Sequence, residues 1–257
     1  MTLARNHGAG ADLATSLARR LEGVADPNQR AILLREFVDT EDAAEAVKAL
    51  RCLVIEALYG NLRAVWIAIA RGLFSGELSY PVMGELYRAA VELGFEEMRH
   101  LLIAGDVSFK RAADGEFPRD EVLESLTLGE RKAKARTYDA NMLARLVYDS
   151  DPAVIRILLR NPRITEAHVL KLAARRPNRG AMLQEIAMSP RWLVRPAIQR
   201  ALMLNPYSPV RLTVALLPLL SPPELNEVGE DKSLHRLIAA TARQLLALRG
   251  WQAPIIH

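Results

Sequence analysis

The chain has 257 residues, a net charge of only +4, one cysteine, and a composition that is 50% hydrophobic but 5% aromatic. That length admits one elongated domain or two small ones, and a Leu- and Ala-rich, aromatic-poor chain favours helix over strand. The lone Cys52 excludes an intramolecular disulfide and a Cys-based zinc cage; in the mostly apolar run Leu50–Leu58 it reads as a small core residue in a reducing compartment. Residues 1–20 carry Arg5, Asp12, Arg19 and Arg20 and have no uninterrupted apolar core. The most apolar stretch, Ala64–Ala70, is bounded by Arg63 and Arg71 and is too short to span a bilayer. A soluble cytoplasmic protein, away from membranes, is the expectation.

The first predicted helix opens at Asp26-Pro27, a capping acid before a first-turn proline, and runs to about Val38. Thr40-Glu41-Asp42 starts the next, which ends near Tyr59 before Gly60; a third covers Asn61–Phe74. Pro81 opens a fourth that closes near Gly94, and Phe95–Ile103 forms a fifth. Residues 104–118 are the least helical stretch, either a seam between two regions or an ordered loop. Pro118 then opens a short helix, and Thr127-x-x-Glu130 matches a capping box. Further helices are expected at 138–148, 152–160, 165–175, 180–188, 191–204, 208–219 and 233–247. No strand-like alternation is visible.

The second half carries a prolyl beat. Polar-Pro breaks fall at Asn161-Pro162, Arg176-Pro177, Ser189-Pro190, Asn205-Pro206 and Ser221-Pro222, with successive prolines 13 to 16 positions apart. Each proline stops one helix and suits the first turn of the next. Two such units make roughly thirty residues, the repeat length of an α-solenoid.

Inside this beat a proline, a β-branched residue and an arginine recur, as Pro152-Ala-Val-Ile155-Arg156, Pro190-Arg-Trp-Leu-Val194-Arg195 and Pro209-Val210-Arg211. The pattern resembles the second-helix signature of HEAT-type repeats. Asn161-Pro162-Arg-Ile-Thr165 and Asn205-Pro206-Tyr-Ser208-Pro209 resemble the opening of leucine-rich-repeat-variant units. The stretch Leu126–Leu248 is similar to bacterial helical-repeat proteins, mostly of unassigned function. The resemblance implies an all-α fold: an α-solenoid of HEAT-like helical hairpins preceded by an N-terminal helical region. HEAT-like families include scaffolds, regulators and a few DNA-repair glycosylases, so the fold chooses no function. In HEAT stacks the arginine often pairs with an acid of a neighbouring repeat; Asp151 fits that acid once, whereas Ser189 and Ser208 replace it elsewhere. The expected division is an acidic helical region over 1–117 and a basic repeat region over 118–257.

The modest net charge hides a split. Residues 1–130 hold 14 Lys/Arg against 21 Asp/Glu, whereas 131–220 hold 16 against 5, with arginine outnumbering lysine 13 to 3. Asymmetry of this size speaks of partners, and arginine suits bidentate recognition of carboxylate or phosphate. Arg156/Arg160, Lys171/Arg175 and Arg191/Arg195 are each four apart and share helix faces, while Arg163, Arg176 and Arg179 fall near turns. With Trp192, between Arg191 and Arg195, these ten residues form the candidate partner surface. The same residues also read as solvated faces and inter-repeat hydrogen bonds, and Trp192 as a residue packed between helices.

Glu92, Glu96 and His100 share a helix face, with Glu97 three before His100; a di-metal bundle needs a second Glu-x-x-His, and none exists. His7, His168, His235 and His257 form no ligand spacing. No Gly-x-Ser-x-Gly elbow, phosphate-binding loop or dinucleotide fingerprint is present. The sequence points to a non-catalytic protein-protein interaction scaffold without cofactor, whose basic surface takes an acidic protein partner or the chain's own acidic N-terminal region. The alternative is a nucleic-acid binder that contacts the phosphate backbone.

Overall fold

A computed structural model describes residues 9–103, 105, 108–117 and 119–250. The chain divides into two compact units: Met1–Asp106 with Val210–His257, and the intervening Val107–Pro209. Among the described residues all regular structure is helical, apart from one isolated bridge between Ser108 and Pro209. None of these helices is long and apolar enough to cross a membrane.

The first unit opens with α1 (Ala9–Glu22), α2 (Pro27–Thr40), α3 (Ala43–Leu58), α4 (Arg63–Phe74), α5 (Tyr80–Glu92) and α6 (Glu96–Ile103). Its starts follow the sequence signals: the Asp26 carboxylate accepts from the Asn28 N–H ahead of Pro27, and Asp42 accepts from Ala44 and Glu45. Between α6 and the return to this unit lie α7 (Glu121–Glu124), α8 (Leu128–Lys134), α9 (Ala140–Leu146), α10 (Pro152–Arg160), α11 (Glu166–Ala174), α12 (Gly180–Met188), α13 (Pro190–Leu193) and α14 (Pro196–Met203), which form the second unit. The chain then completes the first unit with α15 (Val210–Leu216), α16 (Pro222–Glu230) and α17 (Arg236–Leu248).

In the first unit α1 and α5 pack on α3, α2 packs on α4, and α15 packs on α4 and α6. α2 and α4 meet at Gly72, where a Cβ would lie 2.5 Å from the Leu34 Cδ2. Two side chains of α4 fasten the returning segment. The fully buried Trp66 indole N–H donates to the Ala215 carbonyl (2.9 Å), and the Arg63 Nη1 donates to the Leu219 carbonyl (2.7 Å). This is why residues 210–257 group with the N-terminal helices, and why the expected division at 117/118 is replaced by an insertion. The Arg211 N–H donates to the Gly105 carbonyl (3.0 Å), so the exit from this unit and the return to it are adjacent.

The second unit begins and ends side by side as well: Lys110 N–H donates to the Pro206 carbonyl (2.9 Å) beside the Ser108–Pro209 bridge. The described part of 104–118 thus pairs along one edge with 206–209, at Ser108 and Lys110, and then makes a 3-10 turn at Asp114–Glu116. Gly180 opens α12 against this edge; a Cβ there would meet the Ser108 hydroxyl at 2.6 Å and the Tyr207 carbonyl at 3.3 Å. Within the unit α8 packs on α10, α10 on α12, and α11 on α14.

Most expected helices fall within a few residues of the observed ones, and three differences have physical causes. The helix expected at 191–204 is two, because Pro196 lacks an N–H and its ring clashes with the preceding turn. The helix α16 lay hidden behind Ser221-Pro222, read only as a break; Ser221 and Glu224 form a capping box and Pro222 occupies the first turn. α1 has no proline or acidic cap at its start to announce it. Pro118, His7 and His257 lie outside the described residues.

His100 of α6 sits half-buried with its Nδ1 2.9 Å from the Thr241 hydroxyl, whose own hydrogen goes to the Leu237 carbonyl. The ring therefore donates from Nδ1. Burial pulls its pKa below the ordinary value, with Arg99 adding to this and Glu96 and Glu97 opposing it. A depressed folded-state pKa means that the unfolded chain binds more protons, so stability falls as pH drops through about 6.5. Urea midpoints measured at pH 7.5 and 5.5 are expected to fall on acidification, and to fall less in His100→Gln.

Trp66→Phe keeps most of the apolar bulk but strands the Ala215 carbonyl. It is expected to lower stability by about 1–3 kcal/mol in urea denaturation; a change within about 0.5 kcal/mol removes the role assigned to this bond.

Candidate functional site

All ten residues of the candidate partner surface lie in the second unit. Its helices are short, and a helix leaves its last four carbonyls without an intrahelical partner. Side chains from distant turns fill many of them. The buried Asn161 donates from Nδ2 to the Ala135 and Thr137 carbonyls, both at 2.8 Å, and accepts from the Arg163 N–H. Asn205 repeats the arrangement, donating to Ala173 (2.7 Å) and Arg175 (3.1 Å) and accepting from the Tyr207 N–H. Both asparagines precede prolines, so each Asn-Pro turn both starts a new stretch and closes an earlier helix.

Several of the arginines do the same work. Arg175 Nη1 donates to the Tyr148 carbonyl (3.0 Å), Arg176 Nη2 to Leu204, and Arg179 Nη1 weakly to Ser150 (3.5 Å). Arg191 spans two carbonyls, Asn161 (3.1 Å) and Ile164 (3.0 Å). Arg175 also lies against two rings, 5.4 Å from Phe117 and 5.8 Å from Tyr148, and Arg179 lies 4.9 Å from Phe117. Burial pulls the Arg175 guanidinium below its ordinary pKa. These four residues brace the fold.

Two more meet carboxylates. Arg156 holds Glu185 through both Nε (2.9 Å) and Nη2, and these bonds raise its pKa. Arg195 stands 4.0 Å from Glu166 in an exposed pair of little energetic weight. Asp151, the acid that the repeat resemblance would give to an arginine, instead caps α10 through the Ala153 and Val154 N–H groups. Of the two sequence readings of Trp192, the structure shows the packed one and removes it from the candidate surface: it is 2% exposed, and its indole N–H donates to the Leu159 carbonyl (2.9 Å). It is a packed core residue and offers no surface to a partner.

Arg160, Arg163 and Lys171 are exposed, and among the described residues no carboxylate pairs with them. Arg160 and Arg163 flank the Asn161-Pro162 turn, and the Arg163 guanidinium lies 5.6 Å from the ring centre of Tyr138, itself 65% exposed. Because Asn161 binds on either side of Arg136, that exposed arginine joins the same turn, and the Arg191 contacts bring a fourth. The geometry thus selects a basic turn of Arg136, Arg160, Arg163 and Arg191 around Tyr138, with Lys171 on α11 apart from it. Sequence reading left Arg136 and Tyr138 out of the candidate surface, because only the asparagine's reach across 24 to 26 positions unites them with Arg163.

The other candidate chemistry is spoken for. Glu97 pairs with Arg51 (2.6 Å) beneath a stacked Phe95, Glu96 pairs with Arg99, and His100 bonds Thr241. Among the described residues no group of three or more His, Cys, Asp or Glu is placed to hold a metal ion. Burial pushes the half-buried Cys52 thiol above its ordinary pKa, the opposite of an activated nucleophile.

No family model, curated protein or solved structure matches this chain.

Asn161→Ala and Asn205→Ala each strand two backbone carbonyls. Each is expected to cost about 1–3 kcal/mol or more in chemical denaturation, while Lys171→Ala stays within about 0.5 kcal/mol.

Proposed function

We propose that residues 107–209 form a non-catalytic binding module, a HEAT-like helical-repeat stack that receives an acidic protein segment on the basic turn around Asn161. The observation that carries this reading is the Arg163–Tyr138 pair. It is an exposed guanidinium beside an exposed ring, with Arg136, Arg160 and Arg191 around it and, among the described residues, no carboxylate paired with Arg160 or Arg163. Arginine and tyrosine are the residues that anchor protein interfaces, through bidentate carboxylate pairing and rigid apolar area. The second unit as a whole holds 18 Lys/Arg against 11 Asp/Glu. A field of that sign speeds encounter with an acidic partner.

The probes of choice are labelled poly-L-glutamate and a labelled random-sequence DNA duplex, titrated with the full chain at about 50 and 200 mM salt. Charge reversal at Arg175, Arg176 or Arg179 would break bonds to the backbone, so the variant is Arg160→Glu/Arg163→Glu. Poly-L-glutamate is expected to bind at low salt, with the double variant weakening it roughly tenfold or more. Tighter binding of the duplex, with a steep salt slope, transfers the reading to a nucleic-acid binder; binding of poly-L-glutamate unchanged by the double variant removes the assigned turn.

A further inference from the structure

In the second unit α8 packs on α10 and α10 on α12, and the turns that follow these three helices are tied to one another. Asn161, after α10, binds the carbonyls on either side of Arg136, after α8. Arg191, after α12, binds the Asn161 and Ile164 carbonyls on either side of Pro162-Arg163. Each turn thus carries one exposed arginine, and Arg136, Arg163 and Arg191 form a row along a single edge.

Each guanidinium in the row is held in place. Arg136 Nη1 donates to the Lys132 carbonyl (2.9 Å), and Arg163 lies 5.6 Å from the Tyr138 ring centre. Arg191 gives an N–H to each of its two carbonyls and lies 4.3 Å from the Trp192 ring centre. A guanidinium carries five N–H donors, so all three residues keep donors for a ligand. The neighbouring acids are engaged elsewhere: Asp139 caps α9, and Glu166 faces Arg195 at 4.0 Å.

Packed helices stand about 8–10 Å apart, so successive turns, and with them the arginines, repeat at about that distance. The backbone period of a ligand decides whether its carboxylates keep step. A β-strand returns a side chain to the same face after about 6.7 Å or about 13 Å, and neither fits. An α-helix returns one after about 10.5 Å, and it needs roughly fifteen residues to reach three arginines. A polyproline II segment turns once in three residues and rises about 9.3 Å in doing so. About seven residues of it set three carboxylates against the row. The Tyr138 ring, 65% exposed, suits the same conformation, because aromatic surfaces are where polyproline II segments dock.

We propose that this edge takes a polyproline II segment of an acidic protein, with a carboxylate at every third residue and proline between. The carboxylates pair in turn with Arg136, Arg163 and Arg191, whose planar forks suit them, and a proline ring rests on Tyr138. The assignment rests on the acidic-partner reading and adds to it the conformation and register of the partner.

Two labelled peptides of one composition test the register: Glu-Pro-Pro-Glu-Pro-Pro-Glu and Pro-Pro-Glu-Glu-Glu-Pro-Pro. Both are titrated with the full chain by fluorescence anisotropy at about 50 mM salt, with poly-L-glutamate alongside. The spaced peptide is expected to bind about fivefold or more tighter than the clustered one, which leaves arginines of the row without a carboxylate. Arg136→Gln and Arg163→Gln, each checked for folding by circular dichroism, are expected to weaken the spaced peptide about threefold or more. Clustered acids binding as tightly as spaced ones, or spaced binding unchanged by both folded variants, overturns the register. So does failure of the spaced peptide where poly-L-glutamate binds; in these cases the acidic-partner reading stands without it. Failure of all three probes removes both.

Discussion

The second unit depends on satisfying the carbonyl ends of helices too short to satisfy themselves. α10, α11 and α12 have nine residues each and α14 has eight. With four carbonyls orphaned per helix, roughly half of each helix's acceptors need an outside donor. Water serves the exposed ones, but Ala135, Leu159, Ala173 and Leu204 are reached by Asn161, Trp192, Asn205 and Arg176 from elsewhere in the unit. This demand explains why the unit is rich in asparagine before proline and in arginine at turns. Much of its positive charge serves the backbone, and only a remainder faces outward.

The first unit answers the same demand in another way. Its helices α1 to α5 run for 12 to 16 residues, so a smaller share of their carbonyls is orphaned. Broad apolar faces carry the packing, with Ala46, Leu53, Ile69 and Ala90 fully buried. Among its long-range polar bonds, those of Trp66, Arg63 and His100 reach the returning segment, and Arg51–Glu97 ties α3 to α6. One unit is thus held mainly by apolar burial and the other by burial plus a lattice of side-chain to backbone bonds.

Those two regimes also decide what could be read from the sequence. Helix starts were legible because Asp26-Pro27, Asp151-Pro152 and Thr127-x-x-Glu130 act locally, within one turn. The grouping of residues 210–257 with the N-terminal helices was not, because Trp66 carries no mark that its indole will reach Ala215, 149 positions on. Charge counting found the basic segment but could not sort its members. Arg163 and Arg191 look alike in sequence; one stacks on an exposed tyrosine and the other spans two carbonyls. The four-residue spacing of Lys171 and Arg175 placed them on one face, yet Lys171 is exposed while Arg175 lies half-buried against Phe117 and Tyr148.

The paired crossings at Gly105–Arg211 and Ser108–Pro209 bear on the order of folding. Before the inserted roughly 100 residues are structured, bringing α15 to α4 means closing a loop of that length, an entropic cost of about 4 kcal/mol from chain closure alone. Once the insert has folded, its own ends deliver Val210 beside Gly105 and that cost has already been met. Folding of the insert thus removes that closure cost from the docking of the returning segment. During synthesis, Trp66 waits in a half-finished core until Ala215 has been made.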